Sequence, residues 1–287
     1  MEAAVILNRN KGDRGEVAAA LSAFGVTAKI ESVDGDAIGD RAEAAVKGGA
    51  KLVVVGGGDG SVSSAAQALA GSGAALGIMP LGTLNHLARD LGIPATLQES
   101  VQVIASGRTR SIDVAEVNGR TFVNNAAIGL YPLMVIDREA QQDRLGRSKR
   151  LAMLVASLRT LMRFHHQRLT LSIDGGEARV DTPLLFVGNN DYQLAFPAAG
   201  QRDKLDDGEL CVMLMRKKGV PGFLAAVARA LLGIQRADDM VRIDGVKQLK
   251  VDSARSTITL ALDGETLVMK PPLEFRIRPG ALKVIAP

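Results

Sequence analysis

Four short stretches carry residue types that can handle a phosphorylated ligand. The first, Val53-Val54-Val55-Gly56-Gly57-Gly58-Asp59-Gly60-Ser61, places glycines directly after a β-branched run. Glycines there let the backbone approach a bulky anion, and N–H groups of the turn and of a following helix can point at phosphate oxygens. Asp59 can meet magnesium directly or through water. The stretch lacks the lysine of a Walker loop and the spacing of a dinucleotide fingerprint. On the residues alone it is equally a tight strand-to-helix turn with Ser61 as the helix cap.

The second stretch, Pro80-Leu81-Gly82-Thr83-Leu84-Asn85-His86, also follows an apolar run and opens a helix. Thr83 can cap that helix and hydrogen-bond a phosphate or ribose, with Asn85 close to the same anion. Arg89 and Asp90 read as solvated helix charges, and His86 as a surface or partly packed imidazole. The third is Asp263-Gly264-Glu265. A carboxylate there can take the proton of an attacking hydroxyl, but Asp-Gly is also a hairpin signal, and the residues alone read as the turn. The fourth, Lys204-Leu205-Asp206-Asp207-Gly208-Glu209, clusters oxygens suited to a hard cation or forms a plain acidic turn.

These stretches need elements to position them. The first third of the chain alternates: strands over Ala3–Leu7, Thr27–Ser32, Lys51–Val55 and Leu76–Met79, and helices over Gly15–Phe24, Ala37–Lys47, Val62–Ala70 and Leu84–Leu91. That repetition predicts a doubly wound parallel sheet, whose ligands bind beyond the carboxyl ends of the strands. After about residue 112 strand patterns dominate: Asp113–Val117 and Arg120–Asn124 about the hairpin pair Asn118-Gly119, then Leu169–Ile173, Leu184–Val187, Leu210–Met215, Thr257–Leu262 and Thr266–Met269. Helices are expected near 133–163 and 220–233. The expectation is an α/β domain over 1–112 and a mostly antiparallel β-sandwich over 113–287.

Composition excludes several classes. The chain has 287 residues, 47% hydrophobic and 23% charged, which is globular and not disordered. A net charge of +4 permits contact with a polyanion or anionic lipid without demanding it, while the absence of Trp and only 3% aromatics argue against stacking on single-stranded nucleic acid. The single Cys211 lies in an apolar strand pattern and reads as a core residue. No apolar run reaches the ~20 residues of a membrane span, and no signal peptide opens the chain, so a cytoplasmic protein is expected. The basic stretch Arg144–Arg150, continued by Leu151–Phe164, suits either an anionic membrane surface or a packed helix.

Taken together, the chain resembles the diacylglycerol kinase catalytic family, in particular the soluble bacterial lipid kinases related to sphingosine kinases. The residues that carry the likeness are Gly57-Gly58-Asp59-Gly60-Ser61, Pro80-Leu81-Gly82-Thr83-Leu84-Asn85, Leu205-Asp206-Asp207-Gly208 and Leu262-Asp263-Gly264-Glu265, in family order. The resemblance implies an NAD kinase-like nucleotide-binding domain, a β-sandwich, and an active site in the cleft between them. It implies that Asn8 contacts ATP, that Gly57, Gly58, Asp59, Gly60 and Ser61 cradle the phosphates, and that Thr83 and Asn85 complete the nucleotide site. Glu265, with Asp263 beside it, would be the general base. Asp207 would hold Mg2+, aided by chain carbonyls at Lys204 and Glu209, and Asp113 would take part in a supporting ion pair. Two departures stand out: Arg9-Asn10-Lys11-Gly12 follows Asn8 where the family has Pro-x-Ser-Gly, and His86 replaces a common Asp.

The activity implied is transfer of the γ-phosphoryl group of Mg-ATP to a hydroxyl of a lipid such as diacylglycerol or a sphingoid lipid, met peripherally at the inner membrane surface. A homodimer is left open. The rivals are an NAD kinase-like enzyme, a non-catalytic nucleotide-binding regulator and a purely structural protein.

Overall fold

The computed structural model describes residues 1–129, 166–192, 201–216, 221–222, 225, 229, 232, 234 and 239–287. The helix expected over 133–163 and the basic stretch from Arg144 lie outside these residues, as does most of the helix expected near 220–233. The chain forms two compact units. One comprises Met1–Asn124, Arg202–Gly208 and Arg278–Pro287, the other Asn125–Gln201 and Glu209–Ile277.

In the first unit, β1 (Glu2–Asn8), α1 (Arg14–Ala23), β2 (Thr27–Val33), α2 (Ile38–Lys47), β3 (Leu52–Gly57), α3 (Asp59–Leu69), β4 (Ala75–Pro80), α4 (His86–Asp90), α5 (Leu97–Ser106), β5 (Thr109–Val117) and β6 (Arg120–Phe122) follow in order. Strands β2, β1, β3 and β4 are parallel neighbours. The alternation of side chains along a strand explains the two layers of helices. Val53 and Val55 of β3 join the core formed with α2, α3 and α4, whereas Leu52 and Val54 join the core formed with α1 and α5. All four residues are buried, as a strand covered on both faces must be.

The register sets where the turns emerge. Leu7 pairs with Gly56, and Gly56 with Met79. The carboxyl ends of β1, β3 and β4 therefore share one edge of the sheet. The expected division near residue 112 falls inside β5, which stays in the first unit. Ile112 and Val114 pack in the first unit's core, and Asp113 between them is only 2% exposed. Its carboxylate accepts the N–H of Gly208 at 2.7 Å and of Gly280 at 2.8 Å, binding two later segments of the chain to this strand.

The second unit contains β7 (Asn125–Gly129), β8 (Gln167–Ile173), β9 (Gly176–Thr182), β10 (Leu184–Asn189), β11 (Leu210–Met215), β12 (Met240–Val246), β13 (Gln248–Asp252), β14 (Ile258–Leu262), β15 (Glu265–Met269) and the first part of β16 (Leu273–Ile285). One antiparallel sheet runs β12-β11-β10-β7-β14-β15. In the other, β13 lies between β16 and β8, and β9 pairs with β8. This is the antiparallel β-sandwich expected of the later chain. Strand β16 changes unit along its length: Leu273–Arg276 pair with β13, while Lys283 and Val284 pair in parallel with β4. Among the described residues, no helix is long and apolar enough to cross a membrane.

Candidate active site

Three loops meet at the carboxyl edge of the first unit's sheet. The β3–α3 turn and the β4–α4 turn touch backbone to backbone. A Cβ on Gly82 would stand 2.5 Å from the Cα of Gly58, and a Cβ on Gly57 would stand 2.5 Å from the Cβ of Ser61. Only glycine fits this crossing. The first loop packs on the same place, since a Cβ on Gly12 would lie 2.7 Å from Leu81.

Helix α3 opens at this crossing with Gly58 as its N-cap, a residue with no side chain to cap it. Ser61, expected as the cap on the plain-turn reading, sits inside the first turn and accepts a hydrogen bond from Asn8 Nδ2 at 3.2 Å. The helix starts two residues before Ser61, at Asp59, and its first N–H groups have no intrahelical partner. Such an end attracts an anion through its N–H groups and the helix dipole. Asn8 braces the loops rather than standing apart from them: its Oδ1 accepts the N–H of Asn10 at 3.1 Å.

Asp59 has a role that its sequence does not announce. Oδ2 accepts the N–H of Asn85 at 3.0 Å and Oδ1 the N–H of His86 at 2.6 Å. It therefore caps α4 from the first residue of α3. The helix expected from Leu84 begins at His86, and Thr83, exposed, does not cap it. Asn85 is left-handed at φ 48° and accepts the N–H of Gly82 on Oδ1 at 3.0 Å, while Nδ2 donates to the carbonyl of Gly82 at 2.9 Å. The two turns are thus held by side-chain clamps.

Asp90 is not the solvated helix charge expected. Its side chain is 2% exposed and lies 2.8 Å from Nε of Arg202, whose side chain is fully buried. Burial pushes the Asp90 carboxyl upward against the opposing pull of the Arg202 guanidinium. Arg202 is a residue that the sequence reading missed, for it stands in no motif.

In the second unit, β14 and β15 are joined by Asp263-Gly264, at φ 48° and 90°. Two positive φ values are the signature of the tight hairpin. Asp263 again serves the backbone: Oδ1 accepts the N–H of Asn125 at 3.0 Å, and its own N–H donates to the carbonyl of Asn125 at 2.9 Å. Asn125 Nδ2 in turn donates to the Tyr192 hydroxyl at 3.0 Å. Glu265 is exposed at the start of β15. The hairpin reading and a chemical role for Glu265 are therefore compatible, with Asp263 as the brace.

The acidic segment is divided. Lys204 and Asp207 lie in the first unit and Glu209 in the second. Asp207 pairs with Lys204 Nζ at 3.3 Å, and Asp206 with Arg110 at 3.1 Å. The ammonium of Lys204 cannot ligate a cation, so only its carbonyl could. Glu209 meets Asn190 through its main chain, with the Asn190 N–H donating to its carbonyl at 2.9 Å. Among the described residues, no three His, Cys, Asp or Glu side chains gather. A donor set of one carboxylate and chain carbonyls suits a hard, oxygen-seeking ion such as Mg2+ and not a transition metal.

Cys211 is a core residue: it is 1% exposed, packs with Ala127, Phe186, Tyr192 and Met213, and burial pushes its thiol up to about 12.

Residues 2–117 match the diacylglycerol kinase catalytic domain, and residues 134–286 match the YegS C-terminal NAD kinase beta sandwich-like domain. The chain is 30% identical to a probable lipid kinase YegS-like protein of Pseudomonas aeruginosa, covering 99% of this chain and 93% of that one. The chain belongs to the diacylglycerol kinase catalytic family. It is also 27% identical to a diacylglycerol kinase of Bacillus subtilis, over 75% of this chain and 71% of that one. Solved structures share the fold. A putative diacylglycerol kinase from Bacillus anthracis superposes with a TM-score of 0.77 at 22% identity, covering 100% of this chain and 97% of that one. An NAD kinase from Archaeoglobus fulgidus in complex with ATP superposes with a TM-score of 0.54 at 13% identity, over 99% and 93% of the two chains.

Proposed function

We propose that this member of the family transfers the γ-phosphoryl group of ATP to a hydroxyl of a lipid at a membrane surface. The observation that carries the reading is the glycine crossing at Gly58 and Gly82, beside the uncapped start of α3. It leaves backbone N–H groups, and no bulky side chain, where a polyphosphate would rest. Phosphoryl transfer depends chiefly on positioning and on stabilising charge, which such a preset cradle supplies.

In the reaction, the acceptor oxygen forms a bond to Pγ, the bond from Pγ to the ADP oxygen breaks, and the hydroxyl proton passes to Glu265. Asp263 keeps the hairpin in place through Asn125. Mg2+ neutralises phosphate charge when bound with ATP. Asp207 and the carbonyl of Lys204 are the groups we assign to a protein-held ion. Each oxygen of Asp59 already accepts one N–H group, so this scheme gives Asp59 the clamp and Asp207 the ion.

Labelled ATP supplied with diacylglycerol, a sphingoid base, ceramide and phosphatidylglycerol in mixed micelles, and with NAD alongside, tests the reading. Label in one of the lipids supports it. Label in NAD alone replaces it with an NAD kinase activity. ATP-dependent thermal stabilisation with no labelled product would make the protein a nucleotide-binding regulator.

A further inference from the structure

Helix α4 has only five residues and no side-chain cap of its own. A helix that short does not hold itself in water. At its start Asp59 holds the N–H groups of Asn85 and His86. At its end Asp90 is held by Arg202, 112 residues away, through a 2.8 Å bond from Nε to Oδ2. The same guanidinium donates to the Val123 carbonyl and, at 3.0 Å, to Asn124 Oδ1. Three separate pieces of the first unit thus converge on one buried fork of donors.

Such a pair is a poor means of gaining stability. Burying two charges costs about as much as their attraction returns, and apolar residues of similar size often do as well. Burial pushes the Asp90 carboxyl upward despite the guanidinium beside it, in keeping with that cost. What a buried, multiply bonded guanidinium supplies is direction, because its planar donors accept partners only at fixed angles. The element it directs is the one that carries the second glycine turn.

We infer that Arg202 is a positioning residue of the nucleotide site: acting through Asp90 and α4, it sets the turn Gly82–Asn85 against Gly58 and so determines affinity for the nucleotide polyphosphate. The inference rests on the nucleotide reading above. It also gives two parts of the site one anchor, since Arg202 opens the segment that carries Asp207. Displacing a phosphate cradle by about 1 Å is enough to cost up to ~100-fold in function.

The test uses the full chain with Arg202→Lys, Asp90→Asn and the paired Arg202→Met/Asp90→Leu. Each is measured for thermal midpoint, for ATP binding by calorimetry without acceptor, for KM and kcat, and for amide hydrogen exchange over residues 85–91. Arg202→Lys keeps the charge and loses the fork. It should raise Kd and KM for ATP about tenfold, with kcat within about threefold of wild type and the acceptor KM unmoved. Exchange over 85–91 should quicken while β3 and β4 stay protected. The apolar pair should recover the thermal midpoint but not the ATP affinity. That separation is what a merely structural role would not produce, and the pair carries the comparison if Arg202→Lys does not fold. Variants that bind ATP within twofold of a wild type that itself binds would overturn this inference alone. A wild type that binds no ATP would overturn it together with the nucleotide reading.

Discussion

Asp59 and Asp263 stand in comparable positions in the two units, each beside a glycine that follows a strand, and each side chain accepts backbone N–H from a distant segment, two groups at Asp59 and one at Asp263. The two turns differ in what they leave open. Around Asp59 the turns are closed by contact: the backbones of Gly58 and Gly82 touch, and the glycine at the start of α3 brings no capping side chain. Around Asp263 the turn is closed by dihedral angles, and a Cβ on Gly264 would meet nothing within 4 Å. There an acidic side chain, Glu265, stays exposed. The first arrangement suits an anion and the second suits a proton acceptor. In both, the aspartate that looks chemical serves as the clamp.

The contrast breaks first at the acceptor side. Glu265→Gln should lower kcat by about 10²–10⁴, the usual worth of a general base, with the thermal midpoint and ATP binding unchanged. Asp263→Asn should do the opposite, lowering the midpoint more than the turnover. Steady-state rates set beside melting curves read both, and an unaltered rate in Glu265→Gln would reverse the assignments.

Alanine at the two glycines sharpens the comparison. Gly82→Ala should weaken ATP binding at least about tenfold by calorimetry, because a side chain there separates turns that must touch to form the cradle. Gly264→Ala should cost only about 1 kcal/mol of stability, from a positive φ that alanine resists, and should leave ATP binding alone. Equal effects of the two on ATP affinity would erase the distinction.

The clamps come next. Asp59→Asn should destabilise by about 1.5–3 kcal/mol, the range for a hydrogen bond to a charged group, and denaturant unfolding measures it. It should also weaken ATP binding, whereas Asp263→Asn should not. The smallest effect belongs to Cys211. With its thiol pushed up to about 12 by burial, almost none is thiolate at pH 8, so a thiol reagent should leave the native protein unmodified and react only on unfolding.

Much of this architecture is legible in the chain. The valines of β3 announce a strand covered on both faces, and Asn118-Gly119 announces its turn, with both residues at positive φ. Each of the four motifs falls at a turn or loop of the folded chain. Helix α5 went unread although its signals are local: Thr96 accepts the N–H of Glu99, and Gly107 ends the helix at φ 65°. The clamps are different in kind. An aspartate has the same letter whether it binds a cation, meets water or holds an N–H group 138 residues away, as Asp263 does. Arg202 and Asp90 are illegible for the same reason, since burial turns two ordinary charges into a fork, and burial belongs to the folded chain.

Strand β16 has a consequence for how the protein comes into being. Its second part lies beside β4, and Gly280 within it is held by Asp113. The sheet begun by β1 to β4 therefore waits for a segment translated only after the second unit's strands β7 to β15. Until then β4 has an open flank, and the Asp113 carboxylate lacks one of its partners. Production of the active protein should accordingly be sensitive to anything that shelters a nascent chain, and residues 1–124 expressed alone would be an unfinished sheet rather than a portable nucleotide-binding module.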